Sequence, residues 1–176
     1  MTQAIFLDRD GVINRAFVRD GKPYPPVDLA HLEILPGVAS ALQDFKDAGY
    51  LLIVVTNQPD VARGTMRRET VEEINAYLGS LLPIDEIRTC YHDSGDGCHC
   101  RKPLPGSILA AVKQHGIDLS KSFMIGDRWR DIEAGQAAGC RTIFIDYGYL
   151  EKQPETAVPR VSSLREAADG ILGEKA

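Results

Sequence analysis

The sequence predicts a doubly wound, Rossmann-like α/β fold with a parallel sheet of about five strands, on three observations. Short apolar runs recur along the chain, amphipathic stretches at helical spacing separate them, and polar or acidic residues follow the runs directly. The runs are AIFL (4–7), LLIVVT (51–56), IRTCY (87–91), SFMIG (122–126) and RTIFI (141–145). They are continuous and rich in β-branched residues rather than alternating, as strands covered on both faces are. Val38, Ala41, Leu42, Phe45 and Ala48 mark a first helix closed by Gly49, and Val71, Ile74, Leu78 and Leu81 a second after Thr70. Ile108, Ala111, Val112 and His115 mark a third before Gly116, and a shorter fourth runs from Asp127 to near Gly139. Strands alternating with helices imply the parallel, doubly wound arrangement. Segment 14–36 breaks the pattern with Pro23, Pro25, Pro26 and Pro36, and reads as a loop or small flap over the sheet's edge. The tail from Glu151 is polar, with a weak helical pattern through Leu164, Ala168 and Leu172. With no repeat and no linker, residues 1–176 are expected to form a single domain.

Composition narrows the function. The 176 residues are 44% hydrophobic and 26% charged with net charge −5, and no long basic run is present. A nucleic-acid partner needs a broad basic surface, so none is expected. The opening MTQAIFLDRDG holds only four apolar residues before a charge, which predicts no membrane association and a cytoplasmic location. In a reducing compartment, clustered cysteines are more often ligands or catalysts than disulfides.

Ligands of open α/β sheets bind at the carboxyl ends of the strands. Asp8 and Asp10 follow the first run, Thr56 and Asn57 end the second, and Asp127 follows the fourth; Arg101 and Lys102 come after the third. Convergent acids can hold Mg²⁺ through hard oxygens, and adjacent cations can neutralise a phosphoryl group. Taken singly, each residue is more often structural: Asp-Gly makes turns, and Thr-Asn caps segments. Their recurrence at successive strand ends favours a site.

FLDRDGVIN (6–14), VVTNQ (54–58), Lys102 within CRKP (100–103) and GDRWRDIEAG (126–135) resemble, in order, the four motifs of the haloacid dehalogenase superfamily. DRDGVIN, the TNQ…ARG stretch (56–64) and the cysteine-rich loop are similar to its heptose-bisphosphate phosphatases and to the related histidinol-phosphate phosphatases. The resemblance implies no large cap domain and a phosphomonoesterase acting on a small phosphorylated sugar, as in supplying a precursor of nucleotide-activated heptose. It makes Asp8 the nucleophile and Asp10 the general acid and base, with Thr56 and Lys102 stabilising the phosphoryl oxygens. Mg²⁺ would be held by Asp8, the Asp10 main-chain carbonyl and Asp127. Asp131 would orient Lys102 or a metal-bound water. Arg9, Arg19, Asn57, Gln58, Arg63 and Arg101 are the residues expected at the substrate. A monomer is expected. Other substrates within the same chemistry are histidinol phosphate, another sugar phosphate or a nucleic-acid 3′-phosphate end, the last opposed by the acidic balance. A non-catalytic binding protein is disfavoured by intact Asp8, Asp10, Lys102 and Asp127.

CYHDSGDGCHC (90–100) offers Cys90 and His92, then Cys98 and Cys100. Spacing of two puts each pair on one side of an extended backbone, and the glycine turn between could bring the pairs together. Four S/N ligands suit a closed, structural Zn²⁺ site, and the resembling phosphatases carry a zinc loop here. A metal-free reduced cluster and a Cys–His catalytic pair are the alternatives; the second lacks an orienting acid. His99 should point away from the ligands, and Cys140 reads as a small buried hydrophobe. His31, His115 and Trp129 read as structural, the two histidines without partners. Departures from the family pattern fall at Pro59-Asp60, at Tyr91 and at AFVR (16–19), all near expected substrate or loop positions.

Overall fold

The computed structural model describes residues 1–174. Along the chain, β1 (Gln3–Leu7) leads into a hairpin of β2 (Phe17–Arg19) and β3 (Lys22–Tyr24), then α1 (Val38–Asp47), β4 (Tyr50–Asn57), α2 (Arg68–Leu81) and β5 (Glu86–Cys90). The second half runs α3 (Gly106–His115), β6 (Phe123–Gly126), α4 (Trp129–Ala138), β7 (Arg141–Ile145), β8 (Arg160–Val161) and α5 (Leu164–Gly173). The main sheet is parallel, in the order β5-β4-β1-β6-β7-β8.

The sheet therefore has six strands rather than five. The extra one, β8, pairs Arg160 with Phe144 and Val161 with Ile145. Two residues without an apolar run carry no periodic signal; backbone bonds such as Asp146 N to Val161 O at 3.0 Å recruit them, with Val161 packed on the core and Arg160 over the Phe144 ring. Elsewhere the apolar runs work as their composition dictates. Ile5 and Leu7 turn to one face with Leu52, Val54 and Ile125, against Leu42, Phe45, Ile74 and Leu164 of the helices. Ala4 and Phe6 turn to the other with Ile53, Val55 and Met124, against Ile108, Ala111 and Ala134. This period-two division buries both faces of β1, and truncating Phe6 to Ala would cost about 3–5 kcal/mol.

The chain leaves β1 for β4 and β5 on one side, then returns to β6 and β7 on the other. That reversal opens a crevice at the carboxyl end of β1. Segment 14–36 is a flap, with β2 and β3 antiparallel. It stands over this crevice rather than over the sheet's edge, because Lys22, Pro23, Tyr24 and Pro25 line the cavity there. Among the described residues no helix is long and apolar enough to cross a membrane.

Candidate active site

The crevice is a cavity of about 320 Å³ lined by residues that include Asp8, Asp10, Asn57, Lys102 and Asp131. Asp8 continues β1, its N–H donating to Ile125 O at 3.0 Å, so the sheet itself aims the carboxylate. Lys102 Nζ donates to Asp8 at 2.8 Å and to Val55 O at 2.6 Å, and pairs with Asp131 at 2.6 Å. Burial alone would lower the lysine's pKa, but Asp131 and Asp8 outweigh it and hold the ammonium charged. The Asn57 side chain grips the Lys102 peptide at both ends, Nδ2 to O at 2.9 Å and N to Oδ1 at 3.1 Å. Asp131 also accepts Arg128 N at 3.0 Å, so one residue caps α4 and holds the lysine.

Asp10 is held by a fan of donors. Arg9 Nε reaches Oδ1 at 3.1 Å and Asn14 Nδ2 at 3.0 Å, while Gln58 Nε2 reaches Oδ2 at 2.8 Å. Arg9 and Gln58, expected at the substrate, are thus fully buried behind the carboxylate. Arg9 also donates to Asn75 at 2.9 Å, and Gln58 to the buried Thr56 hydroxyl at 3.0 Å. The reason for Arg9 is alternation: Asp8 and Asp10 share one side of the chain, so the residue between them points into the protein.

Asp127 lies opposite Asp8. Its Oδ2 accepts the Tyr149 hydroxyl at 2.8 Å, while its Oδ1 is buried and has no hydrogen-bond partner. Gly11 makes room for it: at φ 88°, a Cβ there would fall 1.9 Å from Oδ2. Carboxylate oxygens of Asp8, Asp127 and Asp131 lie within 4.8 Å of one another. At an effective dielectric of 20, two such charges repel by on the order of 3–4 kcal/mol. Burial first and Asp131 next push the Asp8 carboxyl up to about 6; burial first and Asp8 next push Asp127 well above the usual range. Hard oxygens, mutual repulsion and an orphaned buried oxygen fit a divalent cation such as Mg²⁺ between Asp8 and Asp127. Asp131 is committed to Lys102 and to the helix cap.

The Cys/His set also closes. Cys90 Sγ lies 3.1 Å from Cys100 Sγ and 3.8 Å from Cys98 Sγ, and His92 Nδ1 lies 3.5 Å from Cys90 and 3.3 Å from Cys100. Tetrahedral ligands about 2.3 Å from a zinc stand about 3.8 Å apart, so the four fit one Zn²⁺ with little movement. His99 is exposed, and Cys140 lies in the core, where burial pushes its thiol up to about 12.

The remaining expected residues divide. Arg101 lines the cavity and donates to His92 O at 3.3 Å. Arg63 lines it too, but its guanidinium is bidentate on Asp93, at 2.7 and 2.8 Å, bolting the loop after β4 to the cysteine loop. Arg19 stacks on Tyr24 at 4.2 Å and is not among the lining residues. His31 and His115 are not partnerless: they lie 2.7 Å from Asp28 and 2.6 Å from Glu86. Arg130 and Lys152 cover the Trp129 ring at 4.3 and 4.2 Å. Lys22, Arg128 and Arg130 line the cavity unforeseen. Arg128 and Arg130 adjoin the fourth motif and could have been suspected, whereas nothing in a Pro-rich segment singles out Lys22.

Comparison with known proteins places the fold in a family. The HAD-hydrolase-like family model matches residues 99–167. A D-glycero-β-D-manno-heptose-1,7-bisphosphate 7-phosphatase of Helicobacter pylori is 39% identical over 96% of this chain and 97% of its own. One from Pasteurella multocida is 36% identical over 84% of each. A crystal structure of a D,D-heptose 1,7-bisphosphate phosphatase from B. bronchiseptica, complexed with magnesium and phosphate, superposes with TM-score 0.83 at 30% identity, covering 98% of this chain and 99% of that one. The chain belongs to the haloacid dehalogenase-like phosphatase family of these relatives. Its reaction class is phosphoric monoester hydrolysis.

Proposed function

We propose that the chain removes the 7-phosphate of D-glycero-D-manno-heptose 1,7-bisphosphate through an aspartyl-phosphate. Asp8 attacks phosphorus in line while the bond from phosphorus to the sugar oxygen breaks, and Asp10 gives that oxygen its proton. Asp10 then takes a proton from the water that attacks the aspartyl-phosphate, releasing phosphate and restoring Asp8. Lys102 and Thr56 meet the equatorial oxygens as charge builds on them. Asp8, Asp127 and the Asp10 main-chain carbonyl would hold Mg²⁺, whose charge would offset repulsion between carboxylate and phosphoryl group. Cys90, His92, Cys98 and Cys100 would hold Zn²⁺, which would order the loop that delivers Arg101 and Lys102.

The observation that carries the choice of a bisphosphate is the surplus of cations. Beyond Lys102, the cavity is lined by Lys22, Arg63, Arg101, Arg128 and Arg130. Of these, Lys22 and Arg130 make no ion pair with a carboxylate among the described residues, and Arg130 only stacks on Trp129. Burial, then Arg128 and Arg101 beside it, lower the pKa of Arg130, a crowding of guanidinium groups that a second phosphate would relieve. A monophosphate ester would leave those charges unanswered.

The test compares kcat/KM for the heptose 1,7-bisphosphate, β anomer first as in the relatives' names, with heptose 7-phosphate and histidinol phosphate. Phosphorus NMR identifies the ester cut. The bisphosphate should lead by orders of magnitude, with release from position 7. Equal rates on the monophosphate, or a lead for histidinol phosphate, would reject the substrate and leave the chemistry standing.

A further inference from the structure

Tyr149 lies in the connection between β7 and β8, only 9% exposed, with its hydroxyl donating to Asp127 Oδ2 at 2.8 Å. Tyr147 packs beside it, ring centroids 5.5 Å apart, and donates to the Gly11 carbonyl at 2.9 Å. Gly11, lacking a Cβ, leaves the space that Oδ2 occupies. The carboxylate is therefore held at one oxygen by the Tyr149 hydroxyl, while Oδ1 stays buried and unpartnered. The terminal torsion of an aspartate is broad and nearly two-fold. Without a grip the group would swing between one-oxygen and two-oxygen presentation to a cation.

We infer that Tyr149 is a positioning residue for the divalent cation: by holding Oδ2 it fixes the rotation of Asp127 and presents Oδ1 alone for coordination. The inference rests on the phosphatase reading above, but it concerns how tightly the cation is held, not which ester is cut. Groups that hydrogen-bond to metal ligands typically govern metal affinity by 10–100-fold, and a hydrogen bond to a charged acceptor has the strength to set a torsion.

The decisive variant is Tyr149→Phe, which keeps the ring and deletes the hydroxyl. Binding of Mg²⁺ by calorimetry and of Mn²⁺ by electron paramagnetic resonance, on the full-length protein without substrate, should show Kd raised about 10–100-fold. The Mg²⁺ concentration for half-maximal turnover should rise by a similar factor, with a smaller fall in kcat at saturation. Tyr147→Phe, which perturbs the same ring pair but not Asp127, should leave Kd within about two-fold. Unchanged Kd in Tyr149→Phe overturns the inference, as does an equal loss in both variants, which would report general loosening. A failed substrate test with the Kd contrast intact would fault only the choice of ester. Wild-type protein that binds neither cation would overturn the phosphatase reading itself and this inference with it.

Discussion

Asp8 and Asp127 end buried strands at 7% and 1% exposure, whereas only Cys90 of the second set ends a strand, and His92, Cys98 and Cys100 sit on the loop after it, whose residues 93–97 are largely open to solvent. The first set is aimed by the sheet. Its acids stay close despite their repulsion because β1 and β6 are locked by core on both faces. The second set has almost no apolar residue to order it, and it is tied by polar contacts such as Gly106 N to His99 O at 3.1 Å, Ser107 Oγ to Cys100 O at 3.0 Å and the Arg63–Asp93 pair. A cation at the first would enter a finished frame; a cation at the second would help make the frame. Hard oxygens at one and soft sulfurs at the other would sort Mg²⁺ from Zn²⁺.

The contrast can be broken most sharply at Asp8. Asp8→Asn should lower kcat by at least about 10⁴-fold, since the nucleophile is gone. It should retain zinc, and its melting temperature without Mg²⁺ should hold or rise, because a buried charge beside Asp131 is removed. Measurable turnover near wild type would end the nucleophile assignment.

Cys98→Ala approaches from the other side. Elemental analysis should find about one zinc per wild-type chain and far less in the variant. A structural zinc contributes on the order of 10 kcal/mol where it organises its own segment, so the loop should become open to protease and kcat/KM should fall. Trapping of a phosphate mimic on Asp8 should survive. A zinc-free variant with full activity would separate the loop from function.

Arg130→Ala and Arg101→Ala sharpen the division of labour between the reacting and the distant phosphate. Each should raise KM for the bisphosphate by roughly 10–100-fold, the effect of a charged hydrogen bond of about 1.5–3 kcal/mol, while a small generic ester loses much less. Equal losses on both esters would place these residues at the reacting group. The mildest effect is expected from Arg63→Ala. Its bond to Asp93 is half exposed, with side chains 46% and 29% accessible, so global stability should fall by only about 0.2–1 kcal/mol. Faster amide exchange confined to 58–64 and 91–97 would show that the bolt couples the two loops.

How much of this the sequence discloses depends on how far apart the partners lie. The five apolar runs announce their strands because burial on both faces demands them, and the ligand spacings of two in 8–10, 90–92 and 98–100 are local geometry. The strand β8 is invisible, being two residues held by backbone bonds, and so is the hairpin, hidden under prolines. Arg9 misleads by type: an arginine beside the nucleophile suggests a phosphate contact, yet alternation, readable in advance, turns it inward to Asp10 and Asn75. Tyr149 is 22 positions from Asp127 and reaches it only once β7 is folded. No spacing rule encodes that.

The hairpin carries a consequence for how specificity could diverge in such a protein. It pairs only with itself, joins no strand of the main sheet, and is fastened where Leu150 N donates to Gly21 O at 2.8 Å and the Leu150 side chain fills the place of a Gly21 Cβ. Lys22 and Tyr24 line the cavity from a part that, among the described residues, supplies nothing to the core clusters or to the reacting carboxylates. Residues 17–25 are therefore expected to act as an interchangeable visor: drift or grafting there should alter which ester fits while the hydrolytic machinery beneath stays untouched, provided position 21 keeps its glycine.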